Sequence, residues 1–432
     1  MAQLSHLYMT TEKTMLVLVT QMCLTHLDIA DFTEGVISVT DGTTLTDSAV
    51  AGAGTLIFAG TVEFEGANTI TSAVNSPEEG FDLVVNQGAS LLITRFVVGY
   101  DRSFTVYGEI EDASLLTSLD DVTLSLKANS TSGFSVGGTG TGNMTVQDAY
   151  VDLGSTSWKN AYGTYEWSFT NSYIKAASLG NANVRASEDA VWNLTFTDSV
   201  LEANYIKSAV GVNFVFEGGS YAEVNSIVVE GSLTIDATSD VLVKGYQNNT
   251  KGGLDEHGDI QGTVNVEGSL TIDSTTNVGV ELYGAEVNVT GGTLELNKQD
   301  MTLDAEAALE ISEGGQVNTE GVVTNSGTIN VSGGSFSAGA VDNSAGVIGV
   351  SGDSQLNIAS FDGNAIVAAD GATLTDSTIK GAETYAGVEN SGYKYLLSVN
   401  GDEAGTLNLA GSNTITSIDA GAGDTVNVTG NG

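Results

Sequence analysis

The chain has 432 residues, and 54 acidic against 13 basic side chains give it a formal net charge of −41. That balance excludes a nucleic-acid footprint, which needs cations to meet phosphate, and docking on anionic lipid. An apolar content of 41% excludes wholesale disorder, and the single cysteine, Cys23, excludes an internal disulfide.

Residues 1–35 do not share the pattern of the remainder. Met15, Leu18, Val19 and Met22 fall at i, i+3, i+4 and i+7, the spacing of a helical face. That spacing predicts a short amphipathic cap over one end of the remaining chain. Lys13 ahead of the apolar run Met15 to Leu24 also raises a secretory signal. Thr20 and Gln21 interrupt the run and no A-x-A-like cleavage site succeeds it, so the cap is the preferred reading.

From Val36 onward one template recurs: apolar-x-apolar, a corner of Gly, Asp, Asn or Ser, then apolar-x-apolar. The clearest copy is V-N-V-E-G-S-L-T-I, Val264 to Ile272. Period-two alternation puts the apolar residues of each strand on one face, and glycine supplies the φ > 0 that a tight corner needs. First apolar positions are Ile37, Val62, Leu83, Phe104, Leu124, Met144, Trp167, Leu194, Phe214, Val241, Val264, Val287, Leu309, Ile329, Ile348, Ile366, Leu407 and Val426. Steps of roughly twenty residues kept over the whole region signal a solenoid. The interval from Ile366 to Leu407 spans two steps, leaving one copy unplaced near Gly387.

The L-x-x-L-x-L-x-x-N frame of leucine-rich repeats is absent, and unequal steps break the hexads of a left-handed β-helix. Tandem immunoglobulin-like domains would repeat at about 100 residues. The expected fold is therefore all-β: a right-handed, single-stranded parallel β-helix with rungs of roughly 19–23 residues and loop insertions. It is expected to run continuously over 36–432 behind the cap or pre-helix segment 1–35, and to stop mid-template at T-V-N-V-T-G-N-G as a truncated end.

Along the chain, Gly133 to Gly142 is glycine-rich but lacks G-K-[ST], so it is a flexible corner and no phosphate loop. The pairs Trp167 with Phe169, Leu194 with Phe196 and Phe214 with Phe216 occupy inward template positions and are expected in the core. Trp158, Tyr162 and Tyr165 lie between copies, in S-T-S-W-K-N-A-Y-G-T-Y. Loop aromatics beside Lys and Asn suit stacking on a sugar or gripping a protein, so these three are the candidate ligand-binding residues. V-E-G-S-L-T-I-D occurs twice, at Val229 and Val266, suggesting internal duplication. Between the copies lies the polar stretch Lys244 to Gln261. Its Asp255, Glu256, His257 and Asp259 are weak metal or acid–base candidates, since neighbours on a flexible loop rarely converge; a solvated loop is the simpler reading.

The rungs V-N-V-T-G-G-T-L at Val287, I-N-V-S-G-G-S-F at Ile329 and G-T-L-N-L-A-G-S-N-T-I at Gly405 resemble the passenger domains of bacterial autotransporter adhesins of the pertactin and diffuse-adherence kind. The resemblance covers 36–432. It implies extracellular display at the outer membrane and binding of host-cell or matrix glycans or proteins through loops and outer faces. The chain departs from the family pattern in lacking a convincing export signal, a membrane β-barrel and an Arg-Gly-Asp tripeptide, so the resemblance implies a fragment. We expect no enzyme activity, cofactor or nucleic-acid partner, no membrane insertion by this segment, and a monomer.

The alternative is a polysaccharide lyase or hydrolase of the pectinase type on the same fold. Only Arg95, Arg102 and Arg185 are arginines, and the net charge would repel polyuronate. A glycosidase needs two facing carboxylates, whereas adjacent pairs such as Asp120 and Asp121 point to opposite faces of a strand. Ice binding would need an outward threonine ladder. The outward positions after the corner, Thr234, Thr271, Glu295, Ser337 and Asn357, do not make one.

Overall fold

The computed structural model describes residues 6–9, 15–19, 24–30, 35–58, 60–70, 72–75, 81–85, 89–93, 96–97, 102–106, 109–110, 134–135, 138–139, 142–147, 150–152, 155–157, 161–179, 190–244, 258–260, 262–273, 279–381, 396–400 and 403–430. All regular elements among them are β-strands, stacked in parallel coils that make a β-solenoid. The chain resolves into two units, Met1–Val224 and Asn225–Gly432.

In the first unit one line of residues in register runs Thr43, Val62, Leu83, Phe104, Met144, Trp167, Leu194 and Phe214, each paired with the next coil. Two residues further along their strands, Phe169, Phe196 and Phe216 form a second line. Their rings stack, at 4.8 Å between Phe169 and Phe196 and 4.9 Å between Phe196 and Phe216. Trp167 meets Trp192 edge-on at 5.4 Å. Both indoles are buried, as are all three phenylalanines. The alternation read from the sequence therefore places Trp167 and the three phenylalanines correctly, while Trp192 fills an inward position upstream of the template. Full burial of each such side chain contributes about 1.5–3 kcal/mol, and each ring pair a further 0.5–1.5 or so.

Ile37 departs from the template line: it stacks on Leu56 in a separate five-stranded sheet rather than on Val62. The copy at Leu124 lies outside the described residues, and Phe104 pairs directly with Met144. The helical spacing near the N-terminus is not realised. Met15–Val19 is a strand, with Val17 paired to Ile37. A run of M-L-V-L-V fits a buried strand as well as a helix, and a neighbouring strand edge decides between them.

In the second unit each complete coil contributes to three faces, and the strands Gln316–Asn325, Ser335–Asn343 and Asp353–Gly363 each run over both the second and the third. Face one carries Leu233, Val264, Val287, Leu309, Ile329 and Ile348 in register. Face two carries Val241, Leu270, Leu294, Val317, Phe336 and Leu356. Face three carries Val280, Met301, Val323, Val341 and Phe361. All are buried. The inward expectations at Val264, Val266, Leu270, Ile272, Val287 and Val289 hold. Val241 belongs to face two, and Leu233 takes its place on face one. Beyond Ile366 the face-one line continues through Leu397 and Ile418. Leu397 is thus the copy missing near Gly387. Leu407 stacks on Ala372 instead, and Val426 on Leu407.

The corner after face one explains the Gly-Gly of the repeat. Gly291 has φ +71°, open to glycine at no cost. Gly292 is ordinary in φ, but a Cβ there would lie 2.6 Å from the Gly268 carbonyl oxygen of the preceding coil. One glycine serves the turn and the next serves the close approach of coils.

Candidate interaction surface

On face one the residues between the buried pairs point outward and are half-buried by their neighbours: Thr234, Asn265, Asn288, Glu310 and Asn330 follow one another in register. Asn288 Nδ2 donates to Asn265 Oδ1 at 3.1 Å, and Asn330 Nδ2 to Glu310 Oε1 at 2.6 Å. The outward asparagine stack anticipated from the repeat is therefore present, with Glu310 interposed. The first unit repeats the arrangement: Asn193 Nδ2 donates to Glu166 Oε1 at 2.7 Å and Asn213 Nδ2 to Asn193 Oδ1 at 2.8 Å. On face two Asn318 Nδ2 donates to Glu295 Oε2 at 3.2 Å. In each pair the later coil's amide donates to the earlier coil. Such cross-strand bonds contribute on the order of 0.5–1 kcal/mol each where water competes.

Face two presents Thr271, Glu295, Asn318, Ser337 and Asn357 in one outward column. Thr234 lies on face one and does not belong to it, and mixed side chains occupy the rest. Inside face three, two buried asparagines replace apolar residues. Asn325 Nδ2 donates to Asn343 Oδ1 at 2.8 Å, and Asn343 Nδ2 to the Asn364 carbonyl at 2.9 Å. Gly327 N–H donates to Asn325 Oδ1. These buried amides join successive corners through their own hydrogen bonds.

A corner that the template missed recurs in both units. Asp47, Asn171, Asp198 and Asp376 sit at φ 45–49° in the sequences T-D-S, T-N-S, T-D-S and T-D-S. Asp and Asn tolerate this left-handed conformation because their short polar arms bond locally. The following serine is buried in each case. Ser199 Oγ donates back to the Thr197 carbonyl at 2.8 Å, and Ser199 N–H donates to Ser220 Oγ of the next coil at 3.0 Å. Ser48 and Ser377 give their N–H groups to Asn68 and Asn413 in the same way. Corner carboxylates also accept backbone N–H groups across coils: Asp41 from Thr61, Asp47 from Ala67, Asp300 from Val322 and Asp376 from Ser412. Part of the acidic excess is therefore corner chemistry. The signal was legible as apolar-T-[DN]-S-x-apolar, present four times.

Of the candidate ligand-binding residues, Tyr162 and Tyr165 lie within the strand Ala161–Thr170. Their backbones pair in register with Thr139 and with Gly142 and Trp192. They are not in a loop. The strand that holds Trp167 simply extends upstream of the first template position. Trp158 lies outside the described residues. So do Asp255, Glu256 and His257, while Asp259 is on the strand Gly258–Ile260, opposite Glu281. The polar stretch is thus shorter than the sequence suggested. Among the described residues no three His, Cys, Asp or Glu side chains are grouped to hold a metal ion. No family model, no curated protein and no solved structure matches this chain.

Proposed function

We propose that this chain is an adhesin-like structural solenoid, displayed outside the cell at a bacterial surface, that binds host-cell or matrix ligands and does not catalyse a reaction. The observation that carries the reading is the state of its outward polar side chains. Glu166, Glu295 and Glu310 each accept an amide from the adjacent coil, and so serve coil stacking. A face built this way is a scaffold, and ligand choice falls to segments that depart from the coil pattern. The resemblance of the V-N-V-T-G-G rungs to autotransporter passenger domains supports surface display, and the acidic surface supports a partner that is neither nucleic acid nor anionic lipid.

The test is to incubate the purified chain with epithelial monolayers and with immobilised glycans and matrix proteins. The same preparation is assayed on pectin and on neutral polysaccharides for new reducing or unsaturated ends. Binding without turnover is expected. Turnover that is lost on replacing one pair of carboxylates would instead establish the polysaccharide-processing alternative.

A further inference from the structure

The repeated octapeptide V-E-G-S-L-T-I-D holds two different places in the second unit. In the first copy Val229 pairs with Ile260, and Ser232–Ile235 lies on face one, with Leu233 opposite Val264 and Ile235 opposite Val266. In the second copy Val266 ends a face-one strand, and Ser269–Ile272 lies on face two, with Leu270 opposite Val241 and Leu294. The same Glu-Gly corner thus leads onto face one at Glu230-Gly231 and off it at Glu267-Gly268. Both Ser-Leu-Thr-Ile strands bury Leu and Ile and leave Ser and Thr half-exposed.

The two copies part at their last shared residue. Asp236 closes a tight turn, its Oδ1 accepting the N–H of Thr238 at 3.0 Å and its carbonyl accepting the N–H of Ser239. Asp273 gives its N–H to the Val243 carbonyl, and its Oδ1 accepts from Asn297 of the next coil at 3.2 Å. Eight identical residues, corner included, therefore carry no information about the face they join. A parallel strand with alternating apolar residues fits any inward face of the coil, because each face offers the same edge and the same two-residue period.

We infer that the octapeptide is face-neutral and that the segments flanking it set the phase of the coil. The repeat is then not the unit in which coils are gained or lost. The unit is the interval between residues in register, here Leu233 to Val264. Removing Leu233–Thr263 joins Ser232 to Val264 and keeps every downstream strand on its own face. Removing Val229–Asn265 rejoins the chain through an intact octapeptide, with no foreign junction, yet moves downstream strands by one face. The mismatch falls at the junction: Val280–Leu282, which belongs to face three, would arrive on face two after a longer connection than the Asp236 turn, while pairs wholly downstream, such as Asn325 with Asn343, keep each other.

The experiment compares these two deletions in the full chain by far-ultraviolet circular dichroism and thermal unfolding. The deletion of Leu233–Thr263 should keep the β-sheet spectrum and a cooperative transition. The deletion of Val229–Asn265 should unfold at a lower temperature than the deletion of Leu233–Thr263 and bind a dye for exposed apolar surface at its mismatched coil. Equal midpoints, loss of structure in both, or the reverse order would overturn the inference. Both deletions remove Lys244–His257, so its loss is common to the two and cannot set their order.

Discussion

Asp376 covers Gly411 of the adjacent coil: a Cβ added to Gly411 would lie 2.2 Å from Asp376 Oδ1, the same oxygen that accepts the Ser412 N–H at 2.7 Å. Asp47 stands over Gly66 in the same way, at 2.1 Å, and accepts the N–H of Ala67. In these two corners the aspartate of one coil requires glycine in the next; over Asp198 the fit is looser, an added Cβ on Gly218 lying 3.4 Å from its Oδ1.

This relationship is testable as a coupling. Gly411→Ala should destabilise by about 1–3 kcal/mol, from the clash and from the strain at φ +69°. Asp376→Gly removes the clashing carboxylate without disturbing the left-handed backbone. In that background Gly411→Ala should cost less, leaving an interaction energy of about 0.5–3 kcal/mol in a double-mutant cycle followed by denaturant unfolding. Simple additivity would show that the two residues do not share the corner.

The Gly-Gly corner separates two roles of glycine. Gly291→Asn should cost about 1 kcal/mol or less, since asparagine tolerates positive φ and the nearest atom to an added Cβ lies at 3.6 Å. Gly292→Ala should cost about 1–3 kcal/mol or more, because its Cβ meets backbone that cannot move aside. Chemical denaturation of the two variants checks the order.

Trp167→Ala should destabilise the first unit by about 3–5 kcal/mol, and Trp192→Ala similarly, both being buried. Their edge-on contact predicts that the double variant falls short of the sum by about 0.5–1.5 kcal/mol. An unchanged denaturation midpoint for Trp167→Ala would contradict the register from Met144 to Phe214.

Asn343→Ala removes the acceptor of Asn325 Nδ2, buried in face three, and the donor to the Asn364 carbonyl at the corner beyond it. The expected loss is about 1–3 kcal/mol, the cost of buried polar groups left unmatched. Amide hydrogen exchange should rise locally around Val323 and Val341, which share that face.

If adhesion depends on departures from the coil, Trp158→Ala should lower adherence several-fold more than Asn and Gln in place of Asp255 and Glu256. Aromatic area buried in a contact outweighs exposed charge. Equal adherence of both variants and the parent would move binding to the flat outer faces.

A parallel solenoid, and the inward residues of most of its strands, were legible from local pattern alone. Alternation such as V-N-V or W-S-F has a period of two whatever its surroundings, so Val264 and Trp167 could be read as core. The apolar-T-[DN]-S corner was legible too, since a left-handed backbone position restricts residue type locally. The face that each strand joins was decided by tertiary structure. Leu233 and Leu270 lie in identical octapeptides and stack on different lines. Val241 lies on face two rather than face one, Leu397 supplies the copy that no template match marked, and Met15–Val19 is strand rather than helix. Those outcomes depend on which edge is open when a segment arrives. An edge is made by residues a whole coil away, so no local pattern records it.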